Sequence, residues 1–155
     1  MGIELYWDND DQTVMLCEVD RSWTWDEMDA VIDKVKKTTD HSETLIGAIL
    51  DLRQGVHFPG GSFLTPGALS RARRMLKMGE GERQGPVVVV GASPVIKTIY
   101  KTLQKMDKHG LSSVSFAQSL DEARVILQAQ HYRYEPTASG ETKERSPQTP
   151  RSSMG

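Results

Sequence analysis

Apolar and polar residues alternate over Ile3-Glu4-Leu5-Tyr6-Trp7 and again from Thr13 to Val19, with the turn-like Asp8-Asn9-Asp10-Asp11 between them. Alternation with period two on both sides of a polar turn predicts an amino-terminal β-hairpin. The period then lengthens. Thr24-Trp25-Asp26-Glu27 has the spacing of a capping box, in which the Thr24 hydroxyl and the Glu27 carboxylate each satisfy a free amide, and Trp23 and Met28 stand at the staple positions. Trp25, Met28, Val31, Ile32 and Val35 follow at helical spacing, with Lys34, Lys36 and Lys37 near the end where cations suit the helix dipole.

Two later runs are apolar nearly throughout, Thr44 to Leu52 and Pro86 to Gly91. Such runs fit strands covered on both faces, and a helical segment between them excludes a hairpin, so they form a βαβ crossover in a parallel sheet. The intervening helix is announced by Thr65-Pro66, with Leu69, Ala72 and Leu76 as its inner stripe. Arg71, Arg73, Arg74 and Lys77 are expected mostly outside, and Gly79 and Gly81 stop it. A third helix starts at Ser93-Pro94, turns Ile96, Ile99, Tyr100, Leu103 and Met106 inward and ends at Gly110. Ser113 to Ala117 is a short fifth strand, and Ser119-Leu120-Asp121-Glu122 is a second capping box opening a last helix through Ala123, Ile126 and Leu127. The order is ββαβαβαβα: an α/β fold with a mixed, mostly parallel sheet and helices packed on it.

Composition limits that fold to residues 1–132. From Arg133 to Gly155 there is hardly an aliphatic residue, and Pro, Ser, Thr, Glu, Lys and Arg dominate. Such a segment cannot bury enough surface to offset chain entropy, so 133–155 is expected to be a disordered tail. The single Cys17 excludes an intramolecular disulfide and a multi-cysteine zinc site, and alternation sets it beside Met15 and Val19 as a structural thiol. No apolar run approaches the ~20 residues of a membrane helix, and the chain opens on a strand pattern, so a cytoplasmic protein is expected. Residues 1–50 carry twelve acids against four Lys or Arg, a net −8, whereas residues 51–132 carry eleven bases against six acids, a net +5. That asymmetry can steer a charged partner or pair two copies, and the hairpin can leave an edge strand for a homodimer. A pI near 6.1 argues against a nucleic-acid partner.

The segments Trp23-Thr24-Trp25-Asp26-Glu27, Ile49-Leu50-Asp51-Leu52-Arg53, Pro66-Gly67-Ala68-Leu69-Ser70, Val87 to Gly91 with the helix after it, and Ser119 to Ala123 carry a resemblance over residues 3–130. The chain resembles the STAS domain, the fold of bacterial anti-sigma-factor antagonists and of sulfate-transporter tails. More closely, it looks like small stand-alone bacterial STAS proteins or lipid-transfer (CRAL-TRIO) relatives. The resemblance implies a non-enzymatic regulatory module that binds a protein partner through the loop after the third strand and the second helix. In the antagonists a switch serine stands after that strand, and Ser62 falls near its position. Here Gly60 and Gly61 replace the acid and serine that precede it, and Arg53 stands where a small residue is usual.

Apart from the resemblance, chemistry on parallel sheets gathers at the carboxyl ends of strands, which directs attention to the loops after Leu52 and Gly91. Gly60-Gly61-Ser62 can let backbone amides converge on an anion, with Arg53 and His57 nearby; the alternative is a flexible connection into the helix capped by Thr65. Gly91-Ala92-Ser93 opens a helix directly from a strand, but lacks nucleotide-binding spacing and reads better as a cap. Asp51 is expected to pair with Arg53 rather than serve as a general acid. A small anionic or lipid ligand held by these loops and the third helix is the alternative function. Lys97, Lys101, Lys105 and Lys108 form a basic stripe that can dock an acidic partner, or simply be solvated. No cofactor, metal site or catalytic pairing is legible.

Overall fold

The computed structural model of the protein describes residues 2–54, 66–107 and 109–134. Five strands, β1 (Ile3–Trp7), β2 (Val14–Val19), β3 (Ile46–Asp51), β4 (Gln84–Val90) and β5 (Val114–Ala117), lie side by side in the order of the chain. The pair β1–β2 is antiparallel and the other three pairs are parallel. Helices α1 (Trp25–Asp40), α2 (Pro66–Leu76) and α3 (Pro94–Met106) make the crossovers, and α4 (Leu120–Tyr134) follows β5. The fold is therefore α/β with a mixed sheet. Helix α4 runs two residues past the expected end of the folded unit, and residues 135–155 lie outside the described residues.

The helix placement follows from the strand order. Every crossover steps the same way along the sheet, and parallel crossovers share one hand, so their helices fall on one face. Met15, Cys17, Val19, Ala48, Leu50, Val87 and Val89 point to that face and pack with residues of α1, α2 and α3. The intervening residues Leu16, Ile49, Val88, Val90 and Ala117 point the other way and meet Ala123 and Leu127 of α4. Both clusters are apolar on the strands, which explains the near-continuous apolar runs of β3 and β4.

Local signals act as expected at most ends. The Thr24 hydroxyl accepts from Glu27 N (3.2 Å), and the Glu27 carboxylate accepts from Thr24 N (3.1 Å) and, with its other oxygen, from Gly2 N (2.9 Å). The α1 cap thereby also ties down the start of β1. Trp23 and Met28 are buried, and Trp23 meets Trp25 edge-on with ring centres 4.8 Å apart. At α4 the Ser119 hydroxyl accepts from Glu122 N (3.1 Å), but the Glu122 carboxylate reaches back to Gln118 N (2.8 Å), one residue before the cap. Proline stands first in both α2 and α3.

Three departures are informative. Strand β4 begins at Gln84, ahead of Pro86, because Gly85-Pro86 form a bulge against β3: Ile46 pairs with Gln84, and Ala48 with Val87. A bulge is where a proline fits inside a sheet. Lys77, expected outside, is buried, and its ammonium pairs with Glu80. It follows the last residue of α2, where the chain turns inward through Met78 (φ 50°) and Gly79 (φ 88°), burying Met78 as well. Met106, expected inside, is 71% exposed. The stripe of Ile96, Ile99 and Leu103 continues instead at Asp107, which accepts from Arg73 (2.8 Å) and Gly110 N (2.9 Å).

The acidic and basic halves of the sequence largely meet inside one molecule. Arg71 and Arg74 of α2 face Asp29 of α1, Arg74 also pairs with Asp33, and Arg124 of α4 clasps Asp8 after β1. Lys97, Lys101 and Lys105 remain on the exposed side of α3. No helix among the described residues is long and apolar enough to cross a membrane.

Candidate functional site

Strands β3 and β4 leave the sheet side by side, and the residues there interlock. Asp51, the last residue of β3, is 5% exposed. Its Oδ1 accepts from Arg53 Nε (2.9 Å) and Arg53 N (3.0 Å), and its Oδ2 accepts from Arg53 Nη2 (2.9 Å). A bidentate fork of this kind fixes orientation as well as charge. The bond to Asp51 holds the Arg53 guanidinium above its ordinary pKa, more than desolvation lowers it. The expected ion pair is present, and it curls the chain tightly at the strand end.

Gly91 explains how the neighbouring strand tolerates that curl. Its backbone has φ 74°, and a Cβ built there would lie 2.6 Å from Arg53 Cγ and 2.9 Å from Arg53 Cα. Only glycine lets the two strand exits touch this closely. Leu52 N donates to Val90 O (2.8 Å) and Gly91 N to Ala117 O (3.1 Å), so three strand ends are stitched together at this edge. Ser93 caps α3, its hydroxyl accepting from Ile96 N (3.4 Å). Among the sequence candidates, then, the fold brings Asp51, Arg53 and Gly91 into one contact and assigns Ser93 to the helix beside it. His57, Gly60, Gly61, Ser62 and Thr65 lie outside the described residues.

Beside the interlock runs a row of carboxylates. Glu4 on β1 pairs in register with Glu18 on β2, and Glu18 with Asp51 on β3. The row lies on the face that carries α4, toward the carboxyl ends of β2 and β3. Tyr6 donates its hydroxyl to Glu18, and chiefly that bond pushes the phenol pKa up to about 12. Asp20 accepts from Ser22 N (2.7 Å) and Ser22 Oγ (2.8 Å), which hold its carboxyl below the usual range. The shallow cleft here, about 240 Å³, is lined by Glu4, Glu18, Asp20 and Asp51 against one cation, Arg53. Its charge suits a cationic group better than an anion. Among the described residues no group of three or more His, Cys, Asp or Glu is arranged to hold a metal ion. Cys17 lies buried on the opposite face, and burial pushes its thiol up to about 12, far from nucleophilic use.

A larger cleft, about 740 Å³, lies at the opposite, amino ends of the parallel strands and was not foreseen from sequence. Val14, Leu45, Pro86 and Leu127 give it apolar walls, while Asp11 and the Asp8–Arg124 pair lie at its rim. Arg124 grips Asp8 with two bonds of 2.9 and 2.8 Å. A contact between residues 116 apart leaves no periodic trace. Pro86 inside a strand pattern was the available signal, since it marks a bulge and hence a broken strand start.

No family model matches the chain, and no curated protein matches it.

Proposed function

We infer that the protein is a non-enzymatic regulatory module of STAS type, which engages a protein partner through the carboxyl edge of its sheet. The observation that carries this reading is the interlock of Asp51, Arg53 and Gly91. It fixes the point from which the chain departs toward Ser62, and a rigid exit is what a partner surface needs to present a loop in one orientation. The polar groups at this edge are engaged in holding backbone: Asp51 in curling the strand end, Ser93 in capping α3. Such commitments favour binding over proton transfer. The element order ββαβαβαβα is compatible with the same assignment.

Phosphorylation of Ser62 would add about two negative charges to the segment offered to the partner, which supplies a physical basis for switching that partner off. The test is retention of a partner from source-cell extract by immobilised wild-type protein, Ser62→Ala and Ser62→Asp. The expected result is one partner held by the first two and lost by Ser62→Asp, with unchanged circular dichroism. Equal retention by all three would sink the regulated-serine reading.

A second reading, binding of a small molecule, is favoured by the amino-end cleft, whose size falls in the range of ligand sites. Native mass spectrometry of protein purified without added ligand separates the two. A mass above that of the chain supports the ligand, and a clean mass favours the partner surface.

A further inference from the structure

We propose that β1 is a self-pairing edge, and that two copies of this chain join there into one continuous ten-stranded antiparallel-centred sheet. The argument begins with which backbone groups of β1 are already used. Asp8 N donates to Val14 O and Asp20 N to Gly2 O, each at 2.8 Å. In an antiparallel pair, hydrogen-bonded positions recur at every second residue. Given the register Glu4↔Glu18 and Tyr6↔Leu16, the even residues of β1 bond to β2. Ile3, Leu5 and Trp7 therefore aim their N–H and C=O groups outward, where no further strand lies among the described residues.

Those outward groups complement themselves. A two-fold axis through Leu5 pairs Ile3 with the other copy's Trp7 and Leu5 with its own equivalent, satisfying every outward amide and carbonyl of the strand in six hydrogen bonds. Charge selects this register over its neighbours. Shifting the axis toward Glu4 sets the two Glu4 side chains directly opposite each other. Shifting it toward Tyr6 sets Glu4 opposite Asp8. Both alternatives lose bonds and oppose like charges, which is destabilising across strands. Centred on Leu5, Glu4 instead faces Tyr6, an exposed aromatic. On the other face the half-buried Leu5 and Trp7 would extend the apolar layer into the second copy.

Glu4 is the one charged residue on this edge. β1 has no Lys, no Pro and no bulge, whereas the opposite edge, β5, is only four residues long, itself a protection against pairing. A strand-edge contact is smaller than a standard interface, so the dimer is expected to be concentration-dependent.

Backbone amide exchange, read by NMR on the full chain at low and high concentration, tests the register directly. The amides of Ile3, Leu5 and Trp7 should become protected as concentration rises, while those of Glu4 and Tyr6 are slow throughout. Odd-residue amides that exchange equally at both concentrations would overturn the proposal, as would a chain that sediments as a monomer up to about 1 mM. Tyr6→Glu puts a carboxylate opposite Glu4 twice in the dimer and should weaken it about tenfold. Adding Glu4→Lys to that variant should restore the dimer, because Lys then faces Glu. A dimer unmoved by Tyr6→Glu, in protein whose melting is otherwise normal, would place the contact elsewhere and refute this one.

Discussion

The two faces of the sheet are built from the same strands but covered to different depths. One carries three helices and the Trp23, Trp25, Met28, Ile32, Met75 and Met78 side chains; the other, among the described residues, carries α4 alone. Among the described residues α4 packs chiefly on β3 to β5 and meets Leu16 of β2, while Glu4, Tyr6 and Glu18 of β1 and β2 are not fully buried. Coverage, not strand chemistry, decides where this fold can keep charged side chains on its sheet. A protein with crossovers stepping in one direction has a more thinly covered face by construction, because its connecting helices all go to the same side.

Ile49 and Leu50 test that difference most strongly, being adjacent on β3, fully buried and pointed to opposite faces. Leu50→Ala is expected to cost about 4 kcal/mol, and Ile49→Ala about 3, because a lone α4 can settle into the void more easily than three packed helices can. Urea unfolding of the two variants measures this, and the reverse order would mean that α4 is the more rigid cover. Gly91→Ala comes next. It combines a positive φ with a clash against Arg53, and a loss of about 2 kcal/mol is expected in the same assay. If Arg53→Ala relieves part of that loss in the double variant, the interlock is confirmed as the cause.

The third prediction concerns acid. Arg73, and after it Gly110 N, hold the Asp107 carboxyl below its ordinary value. A depressed carboxylate contributes stability above its unfolded pKa of about 3.9, and that contribution disappears as pH falls through the folded value. Asp107→Asn should therefore lower the melting temperature at pH 7, and the two proteins should converge in strong acid. A constant gap across that range would show that shape, not charge, matters at this junction of α2 and α3. The smallest effect belongs to the more thinly covered face. Glu18→Gln should bring the Tyr6 phenol down from about 12 toward its ordinary 10, seen by ultraviolet titration, with little change in stability. A Tyr6 that still titrates near 12 would point to Glu4 and Asp51 as the dominant neighbours instead.

Much of this architecture was legible because local chemistry agreed with the global fold. The Thr24–Glu27 box, the prolines opening α2 and α3, the Asp51–Arg53 pair and the inward face of Cys17 each depend on residues within a few positions of one another. What escaped depends on chain geometry that periodicity does not encode. Lys77 and Met78 are buried because left-handed residues turn the chain inward after α2. Met106 is exposed because the helical stripe rotates to Asp107 by the final turn. At the carboxyl edge the Asp51–Arg53 pair and the Ser93 cap follow the sequence, while the contact of Gly91 with Arg53 joins two strand exits that lie far apart in the chain. The amino-end cleft needed the Asp8–Arg124 contact and the Gly85-Pro86 bulge together, and neither suggests the other in sequence.

The strand order also bears on how the chain assembles in time. Each strand lies beside the one synthesised just before it, so no strand waits for a distant partner, and the sheet can lengthen as the polypeptide emerges. The sealing of the second face is different: it comes only with α4, the last described element. Until Leu127 reaches Ile49, Val88 and Val90, a stripe of valine and isoleucine stands bare on a nearly complete sheet. That interval is when a nascent chain is most exposed to sticking to its neighbours, and the speed of α4 docking sets how long it lasts.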